Sequence, residues 1–261
     1  MESLCFAHLS DPHLPDGLEA LKKAFTLITK KEPAPSFMVI TGDLTTEDHW
    51  TALKKLVDAS SIPVYLVRGN HDAHVDPEGH SFKQRLGYER YYHFEVSNYH
   101  FLVLDSSNAN THEGKIDPEQ KHWLATELRR SQPGTPHYLF MHHPVLDDPV
   151  QSRALIPELY LNLKDANELL RLGNGCNLKV IFTGHIHRNS IVTQDQVTQI
   201  SIASVSKKYP DYDKTQYYRD TYGADYVWYK YLSWLNTIGQ PPCVSYVNID
   251  QNGVRVMWHY L

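Results

Sequence analysis

Two short segments set the architecture of this chain: LCFAHLSDPH at residues 4–13 and FMVITGDL at residues 37–44. Each is an apolar run that ends in a polar cluster. Between them, Leu21, Phe25 and Ile28 recur at the spacing of an amphipathic helix. A strand, a helix and a second strand in this order form the βαβ unit of a parallel sheet, so the sequence predicts an α/β fold.

The βαβ pattern continues along the chain. A helical segment at residues 50–57 precedes the apolar run 63–67, and residues 91–96 and 99–104 predict an antiparallel hairpin. Such a hairpin would make the sheet mixed. The further predicted elements are a helix that Asp117 caps, a strand at 137–141, a helix within 153–172, and strands at 179–182, 190–193, 199–202, 244–249 and 254–259.

Length and composition are those of an ordinary globular protein. The 261 residues suit one domain, which we predict over residues 1–261, and the formal charge is −5. No Lys/Arg stripe is long enough to follow a phosphate backbone, which disfavours nucleic acid as a partner. No apolar run reaches the ~20 residues of a membrane helix. Cys5, Cys176 and Cys243 lack C-x-x-C spacing, so we expect reduced thiols and a cytoplasmic location.

Residues 207–241 differ from the rest because tyrosine and tryptophan are crowded into them. Tyr231 and Leu235 recur at helical spacing and Gly239 supplies a stop signal, which predicts a helix that ends near Ile238. Aromatic residues in this pattern favour packing over stacking on a nucleobase. We predict that the segment is an elaboration of the domain, and that it supports a homodimer.

Polar motifs follow the predicted strands at the points where those strands end. Ligand sites in open α/β sheets gather at the carboxyl ends of strands, because the loops there converge on one edge. We therefore expect these motifs to meet in space. The motifs are Asp11-Pro12-His13, Gly42-Asp43, Gly69-Asn70-His71-Asp72, His142-His143 and Gly184-His185-Ile186-His187.

Carboxylate, imidazole and amide ligands without thiolate suit Mn, Fe or Zn ions. Two such ions held close together need a shared ligand, and a carboxylate can bridge them. A water between two cations loses a proton near neutral pH, while the cations polarise the phosphoryl oxygens. The motifs therefore predict hydrolysis of a phosphorus ester.

The order and content of the five motifs resemble the calcineurin-like metallophosphoesterase family, because D-x-H, G-D, G-N-H-D, H-H-P and G-H-x-H occur in sequence. The resemblance covers roughly residues 4–205. Residues 91–106, and the run from Gly114 and Ile116 to Gln120, look like the small class III branch of cyclic nucleotide and glycerophosphodiester phosphodiesterases. The resemblance implies a four-layer αββα sandwich, with two mixed β-sheets flanked by helices, and two divalent or trivalent metal ions.

The resemblance also implies a ligand set, with Asp43 as the bridge between the two metals. Which of Mn, Fe and Zn is bound stays open. The implied ligands are Asp11, His13, Asp43 and His187 at one metal, and Asp43, Asn70, His142 and His185 at the other.

Further roles follow for neighbouring residues. The resemblance implies His71 as general acid or as an electrostatic stabiliser of the phosphoryl oxygens, with Asp72 orienting its imidazole. His143 would point away from the metals if its strand stays regular, so it is left out of the ligand set. Asn108 and His112 follow a strand on the rim, and we name them as candidate contacts to the organic part of the substrate.

The leading hypothesis for function is hydrolysis of a small phosphodiester, with a cyclic nucleotide or a glycerophosphodiester as the nearest family examples. Cleavage of a pyrophosphate bond in a nucleotide conjugate, or of a monoester or phosphoprotein, would use the same centre. A non-catalytic protein-binding scaffold is disfavoured because every ligand position is filled. A nuclease is disfavoured by the acidic balance of the chain.

Overall fold

The computed structural model describes residues 3–130, 134–148, 153–154, 157–206 and 240–261. Most of the aromatic segment, including the helix expected to end near Ile238, lies outside these ranges. Those expectations stay predictions, as does the single domain over the whole chain.

The described residues contain eleven β-strands and five α-helices. The strands are β1 (Leu4–Leu9), β2 (Met38–Thr41), β3 (Val64–Val67), β4 (Tyr92–Val96), β5 (Tyr99–Val103), β6 (His137–Phe140), β7 (Leu178–Thr183), β8 (Ser190–Gln194), β9 (Val197–Ser201), β10 (Cys243–Asp250) and β11 (Gly253–Tyr260). The helices are α1 (Leu18–Thr29), α2 (Trp50–Asp58), α3 (Asn70–Val75), α4 (Pro118–Arg130) and α5 (Leu163–Gly175).

The strands form two mixed sheets. The first has the order β11-β10-β1-β2-β3, in which β1, β2 and β3 are parallel and β10 is antiparallel to β1. The second has the order β4-β5-β6-β7-β9-β8, in which the inner strands are parallel and both edge strands are antiparallel. Because β4–β5 and β10–β11 pair as hairpins, the predicted mixed topology is confirmed.

The two sheets face each other across an aromatic core. Phe6 of β1 stacks on Phe37 with ring centroids 4.7 Å apart, and its edge meets Phe140 of β6 at 5.7 Å. A second apolar cluster joins the first sheet to α1 and α2, and a third joins the second sheet to α4 and α5. These layers form the predicted αββα sandwich, in which burial of each large apolar side chain contributes about 1.5–3 kcal/mol.

The helix predicted within residues 153–172 begins later than expected, at Leu163 of α5. Asn162 is its N-cap, because the Asn162 side chain accepts a hydrogen bond from the Asp165 N–H at 3.0 Å. Arg153 is not helical but donates from Nη2 to the Val145 carbonyl oxygen at 2.6 Å. Among the described residues before Leu163, 153–154 and 160–162 are not helical and Pro157–Leu159 form a 3-10 helix, so the predicted start was wrong, and capping at Asn162 sets where α5 begins.

None of the described helices is both long enough and apolar enough to cross a membrane.

Candidate metal centre

Five loops carry the predicted motifs to one place. Each loop follows the carboxyl end of a parallel strand, namely β1, β2 and β3 in the first sheet and β6 and β7 in the second. The carboxyl ends of both sheets therefore converge on one site. Six of the predicted ligand side chains form a continuous set of contacts: Asp11, His13, Asp43, His142, His185 and His187.

The first group consists of Asp11, His13, Asp43 and His187, whose potential ligand atoms all lie within 4.8 Å of one another. His187 Nε2 lies 3.1 Å from Asp11 Oδ1 and 3.1 Å from His13 Nε2. His13 Nε2 lies 3.8 Å from a carboxylate oxygen of Asp11 and of Asp43. Two carboxylates and two imidazoles therefore surround a space of the size that one metal ion occupies.

The second group forms around His142 and His185. His185 Nδ1 lies 3.1 Å from His142 Nε2, and His142 Nε2 lies 3.3 Å from Asp43 Oδ1. Asp43 therefore belongs to both groups, with Oδ1 toward His142 and Oδ2 toward His13. A carboxylate that presents one oxygen to each of two adjacent groups has the arrangement that a bridging ligand requires.

Asn70 adds an oxygen to this site. Its Nδ2 lies 2.9 Å from His112 Nδ1, whereas its Oδ1 is buried and has no hydrogen-bond partner within the described residues. A buried amide oxygen without a partner costs about 1–3 kcal/mol. A cation at this oxygen would remove that cost, so Asn70 fits the expected role of a metal ligand.

The backbone at the site is held in an unusual conformation. Asp11, His13, Asp43, His185 and His187 all have positive φ, between 47° and 65°. Residues other than glycine rarely adopt this left-handed region, which costs about 1–3 kcal/mol and tends to occur at functional sites. These left-handed turns direct the side chains of nearby loop residues toward the same space.

Glycines beside these residues permit their close approach. A Cβ atom on Gly184 would overlap Ser10 Oγ and lie 2.6 Å from Asp11 Oδ2. A Cβ atom on Gly42 would overlap the His142 ring, and Gly42 has a φ of 91°. The Gly-Asp and Gly-His pairs of the motifs are therefore packing requirements as well as chemical ones.

The two buried carboxylates of the site favour the binding of positive charge. Burial would raise the pKa of Asp11, but His187 and His142 lower it well below its ordinary value. Burial also acts to raise the pKa of Asp43, and His142 and His13 outweigh that effect. Burial would lower the pKa of His142, yet Asp43 raises it to about 9. Two buried ionised carboxylates surrounded by imidazoles fit divalent cations, because these bring charge and accept nitrogen lone pairs.

His71 lies at the open side of the site. Its side chain is 31% exposed, its Nε2 lies 3.9 Å from Asp43 Oδ2, and its ring meets the His13 ring edge-on at 5.0 Å. Its backbone N–H donates to Asp43 Oδ1 at 3.0 Å. A partly exposed imidazole beside the proposed bridge can hold or deliver a proton at the place where a substrate would approach.

The contacts of Asp72 differ from the expected contact with the His71 imidazole. Its carboxylate accepts hydrogen bonds from the backbone N–H groups of Gly69, Leu44 and Thr45 at 2.9 to 3.1 Å. These contacts join the loop after β2 to the start of α3. Burial and the nearby Asp43 raise the pKa of Asp72 to about 7, against the effect of the three N–H donors. We infer that Asp72 positions these two segments and does not orient the His71 ring directly.

His143 was left out of the predicted ligand set, but the structure places it in the site. It is fully buried and its potential ligand atom lies within 4.8 Å of those of His142 and His185. Its Nδ1 lies 2.9 Å from Ser106 Oγ and its Nε2 lies 2.9 Å from the His112 carbonyl oxygen. Since β6 ends at Phe140, strand alternation no longer determines where His143 points.

The two rim residues differ in their distance from the centre. His112 is exposed and contacts Asn70, and its ring lies 6.0 Å from the His71 ring. Asn108 hydrogen-bonds within its own loop, to Thr111 Oγ1 at 3.1 Å. The loop between β5 and α4 thus borders the site, and its residue His112 contacts the candidate ligand Asn70.

Three relatives align with much of the length of this chain. A probable cyclic nucleotide phosphodiesterase of Rhodococcus erythropolis is 29% identical over 76% of this chain and 69% of its own length. A probable glycerophosphodiester phosphodiesterase of Arcobacter nitrofigilis is 27% identical over 72% and 70%. A serine/threonine-protein phosphatase of Bos taurus is 32% identical over 65% of this chain and 58% of its own length.

Solved structures agree on the fold. A dimetal phosphatase from Danio rerio superposes with a TM-score of 0.63 at 16% identity, over 79% of this chain and 89% of that one. GAP50, the anchor in the inner membrane complex of Plasmodium, has a TM-score of 0.63 at 16% identity, over 98% and 84%.

A profile of the calcineurin-like phosphoesterase family matches residues 5–189, which hold all five predicted motifs. The family resemblance drawn from the motifs is confirmed, together with the expected class of phosphoester hydrolases. This chain belongs to the calcineurin-like phosphoesterase family.

Proposed function

We propose that the protein is a two-metal phosphodiesterase that hydrolyses a small phosphodiester. The observation that supports this most directly is the position of Asp43, whose Oδ2 lies 3.8 Å from His13 Nε2 while its Oδ1 lies 3.3 Å from His142 Nε2. One carboxylate between two ligand groups is what a dinuclear centre requires.

We assign the residues to two metals in the way that the family resemblance implies. Asp11, His13 and His187 would complete the site at Asp43 Oδ2. Asn70, His142 and His185 would complete the site at Asp43 Oδ1. Mn, Fe and Zn all accept these oxygen and nitrogen ligands. The bound ions would supply a hydroxide nucleophile and positive charge beside the phosphoryl oxygens.

Side chains of the protein would supply the proton for the leaving group and would hold the loops that carry the site in position. His71 Nε2 faces the bridging carboxylate and is accessible to solvent, so we assign it the proton that the departing alkoxide oxygen requires. Asp72 holds the loop of Asp43 against the helix of His71 through three backbone N–H donors. His112 would contact the organic part of the substrate from the rim, with Asn108 further out on the same loop.

Hydrolysis of a phosphomonoester or phosphoprotein is the second candidate. The Bos taurus relative bears the name of a protein phosphatase, and the same centre would serve both reactions. Selectivity between diester and monoester depends on the loop around His112, because the metal ligands contact the phosphoryl group in either case.

The test is to purify the protein without chelator, measure metal per chain, and assay bis-p-nitrophenyl phosphate, p-nitrophenyl phosphate, cyclic AMP and a phosphoserine peptide with Mn²⁺. The matched variants are His71→Ala and, as control, the exposed His80→Ala. We expect diester turnover that falls at least 100-fold in His71→Ala, with the metal content unchanged. Faster monoester or peptide turnover would favour the second candidate, and absence of both metal and turnover would overturn the proposal.

We also propose a homodimer, in which the aromatic segment at 207–241 contributes to the interface. Light scattering of the purified protein tests this, and a mass of one chain would contradict it.

A further inference from the structure

Three histidines lie on one face of the second sheet, with His100 and His137 at the end remote from the metal centre. His93 is on β4, His100 on β5 and His137 on β6. His100 pairs directly with His137, and His93 lies two residues from the pairing partner of His100, so all three side chains share a face. His137 begins β6 and His142 follows two residues after its end, so roughly 16 Å of extended chain separates these two histidines.

Glu127 of α4 covers this face and brings a carboxylate to the histidines. The potential ligand atoms of His93, His100 and Glu127 all lie within 4.8 Å of one another. Glu127 and His100 are each only 7% exposed, whereas the His93 side chain is 40% exposed. The group is therefore a buried carboxylate and imidazole with one side open to solvent.

The contacts of Glu127 are long for ion pairs. Its Oε2 lies 3.4 Å from His93 Nδ1, and its Oε1 lies 3.4 Å from Nη1 of the exposed Arg130. Charge-assisted N–H···O bonds are ordinarily about 2.7–2.9 Å long. Two donors on one tetrahedral zinc ion lie roughly 3.3 Å apart, since each bond is about 2.0–2.1 Å. The spacing of Glu127 and His93 matches shared coordination better than direct pairing.

His137 completes the surroundings of His100. The two Nδ1 atoms lie 3.0 Å apart, so one ring donates to the other, and His137 also bonds to the Leu128 backbone. Imidazoles that bind metals usually donate their second N–H to a neighbour, which orients the ring.

We propose that His93, His100 and Glu127 bind one Zn²⁺ ion, with His137 orienting His100 and solvent completing the coordination. Two imidazoles and a carboxylate are ligands that zinc prefers, and three protein ligands leave one position for water. The ion would join α4 to β4 and β5, which connects the outer helix layer to the edge of the sheet. This site is separate from the centre that holds Asp43 and does not depend on the proposed function.

The test compares zinc stoichiometry in the full-length protein. Each variant is stripped with chelator, loaded with Zn²⁺, freed of excess metal by gel filtration and analysed for zinc per chain. The variants are the His93→Gln/Glu127→Gln double variant, the control His122→Gln on the exposed side of α4, and both again in an Asp43→Asn background. Circular dichroism checks folding, and hydrolysis of bis-p-nitrophenyl phosphate with Mn²⁺ reports on the other centre.

We expect the double variant to hold one zinc equivalent fewer than the parent, with folding and hydrolysis unchanged, and His122→Gln to match the parent. The same loss of one equivalent should appear in the Asp43→Asn background, because the two sites are independent. Equal zinc in the folded double variant and the parent would overturn the proposal. If the dinuclear centre does not form, Asp43→Asn should hold as much zinc as the parent and hydrolysis should be absent. The loss of one equivalent caused by His93→Gln/Glu127→Gln would still be measured in that background.

Discussion

The backbone N–H of His71 donates to Asp43 Oδ1 at 3.0 Å, so the proposed general acid and the proposed bridging ligand are held by one hydrogen bond. The bond connects the loop after β2 to the start of α3. Its effect is to fix how far the His71 imidazole stands from the carboxylate between the two ligand groups. The geometry of the centre and the placement of its proton donor are therefore coupled.

Replacing Asp43 with alanine should remove the metal from both ligand groups, since each group loses one oxygen of the carboxylate that they share. We expect metal content after Mn²⁺ loading to fall by about two equivalents and diester hydrolysis to fall at least 1000-fold. Elemental analysis and turnover measure this. The exposed Asp16→Ala should behave as the parent, and full metal content in Asp43→Ala would contradict the assignment.

Replacing Gly184 with alanine should disrupt the centre without replacing a ligand. The new Cβ would overlap Ser10 Oγ and crowd Asp11, so we expect a loss of about 1–3 kcal/mol in stability and weaker metal binding. Urea unfolding and metal titration measure the two effects. Gly175→Ala is the matched control, because nothing lies within 4 Å of a Cβ there. A Gly184→Ala protein as stable as Gly175→Ala would show that the loop adjusts freely.

Replacing His143 with alanine tests whether this side chain holds the loop after β6 against the loop between β5 and α4. His143 contacts Ser106 Oγ and the His112 carbonyl oxygen, both at 2.9 Å, and is fully buried. We expect a loss of about 2–4 kcal/mol in the free energy of unfolding, from the two hydrogen bonds and the cavity. His143→Gln should recover part of it. Unfolding in urea is the measurement, and a loss below about 1 kcal/mol would contradict the role.

The buried ion pair between Arg68 and Asp105 predicts a pH dependence of stability. The two side chains have no exposed surface and Arg68 Nη1 lies 2.6 Å from Asp105 Oδ2. Burial would raise the pKa of Asp105, but Arg68 and then Arg90 hold it below its ordinary value. A lowered pKa in the folded state adds stability above the unfolded pKa of about 4, and that contribution is lost as pH falls through the folded pKa.

We therefore expect Asp105→Asn to lose about 3–5 kcal/mol at pH 7, since Arg68 is left buried without its charge partner. The difference from the parent should shrink as the pH falls below ~4, because the carboxyl group of the unfolded parent protonates there while the folded carboxylate protonates only at a lower pH. Urea unfolding from pH 7 to pH 3 measures it. Asp58→Asn, in an exposed pair with Lys54, should change stability by less than about 1 kcal/mol. A pH-independent difference for Asp105→Asn would show that its charge is not the cause.

Much of the fold could be predicted because its strands are short apolar runs bounded by polar clusters. The hairpin turn at Ser97 and the cap at Asp117 are local signals, and Asp117 Oδ1 does accept the Gln120 N–H at 2.8 Å. The start of α5 was misplaced because apolar residues lie on both sides of its cap, Leu161 before Asn162 and Leu163 after it, so hydrophobic spacing did not mark where the helix begins. Local signals predict elements well and their ends less well.

The amino-acid sequence is sufficient to predict the class of chemistry at the site. It supplies carboxylate, imidazole and amide donors without a thiolate, in an order typical of one family, and it places each donor after a strand. Those properties depend on residue type and local pattern, which the chain carries before it folds.

The tertiary structure is needed to show which donors lie close together and what supports them. Asp11 and His187 lie 176 positions apart in the chain but 3.1 Å apart in space, and His93, His100 and Glu127 converge across two strands and a helix. The division of Asp43 between two groups and the contacts of His143 likewise depend on how two sheets pack. No local pattern encodes these distances, because they arise from burying the aromatic core between the sheets, which holds loops from distant parts of the chain at one edge.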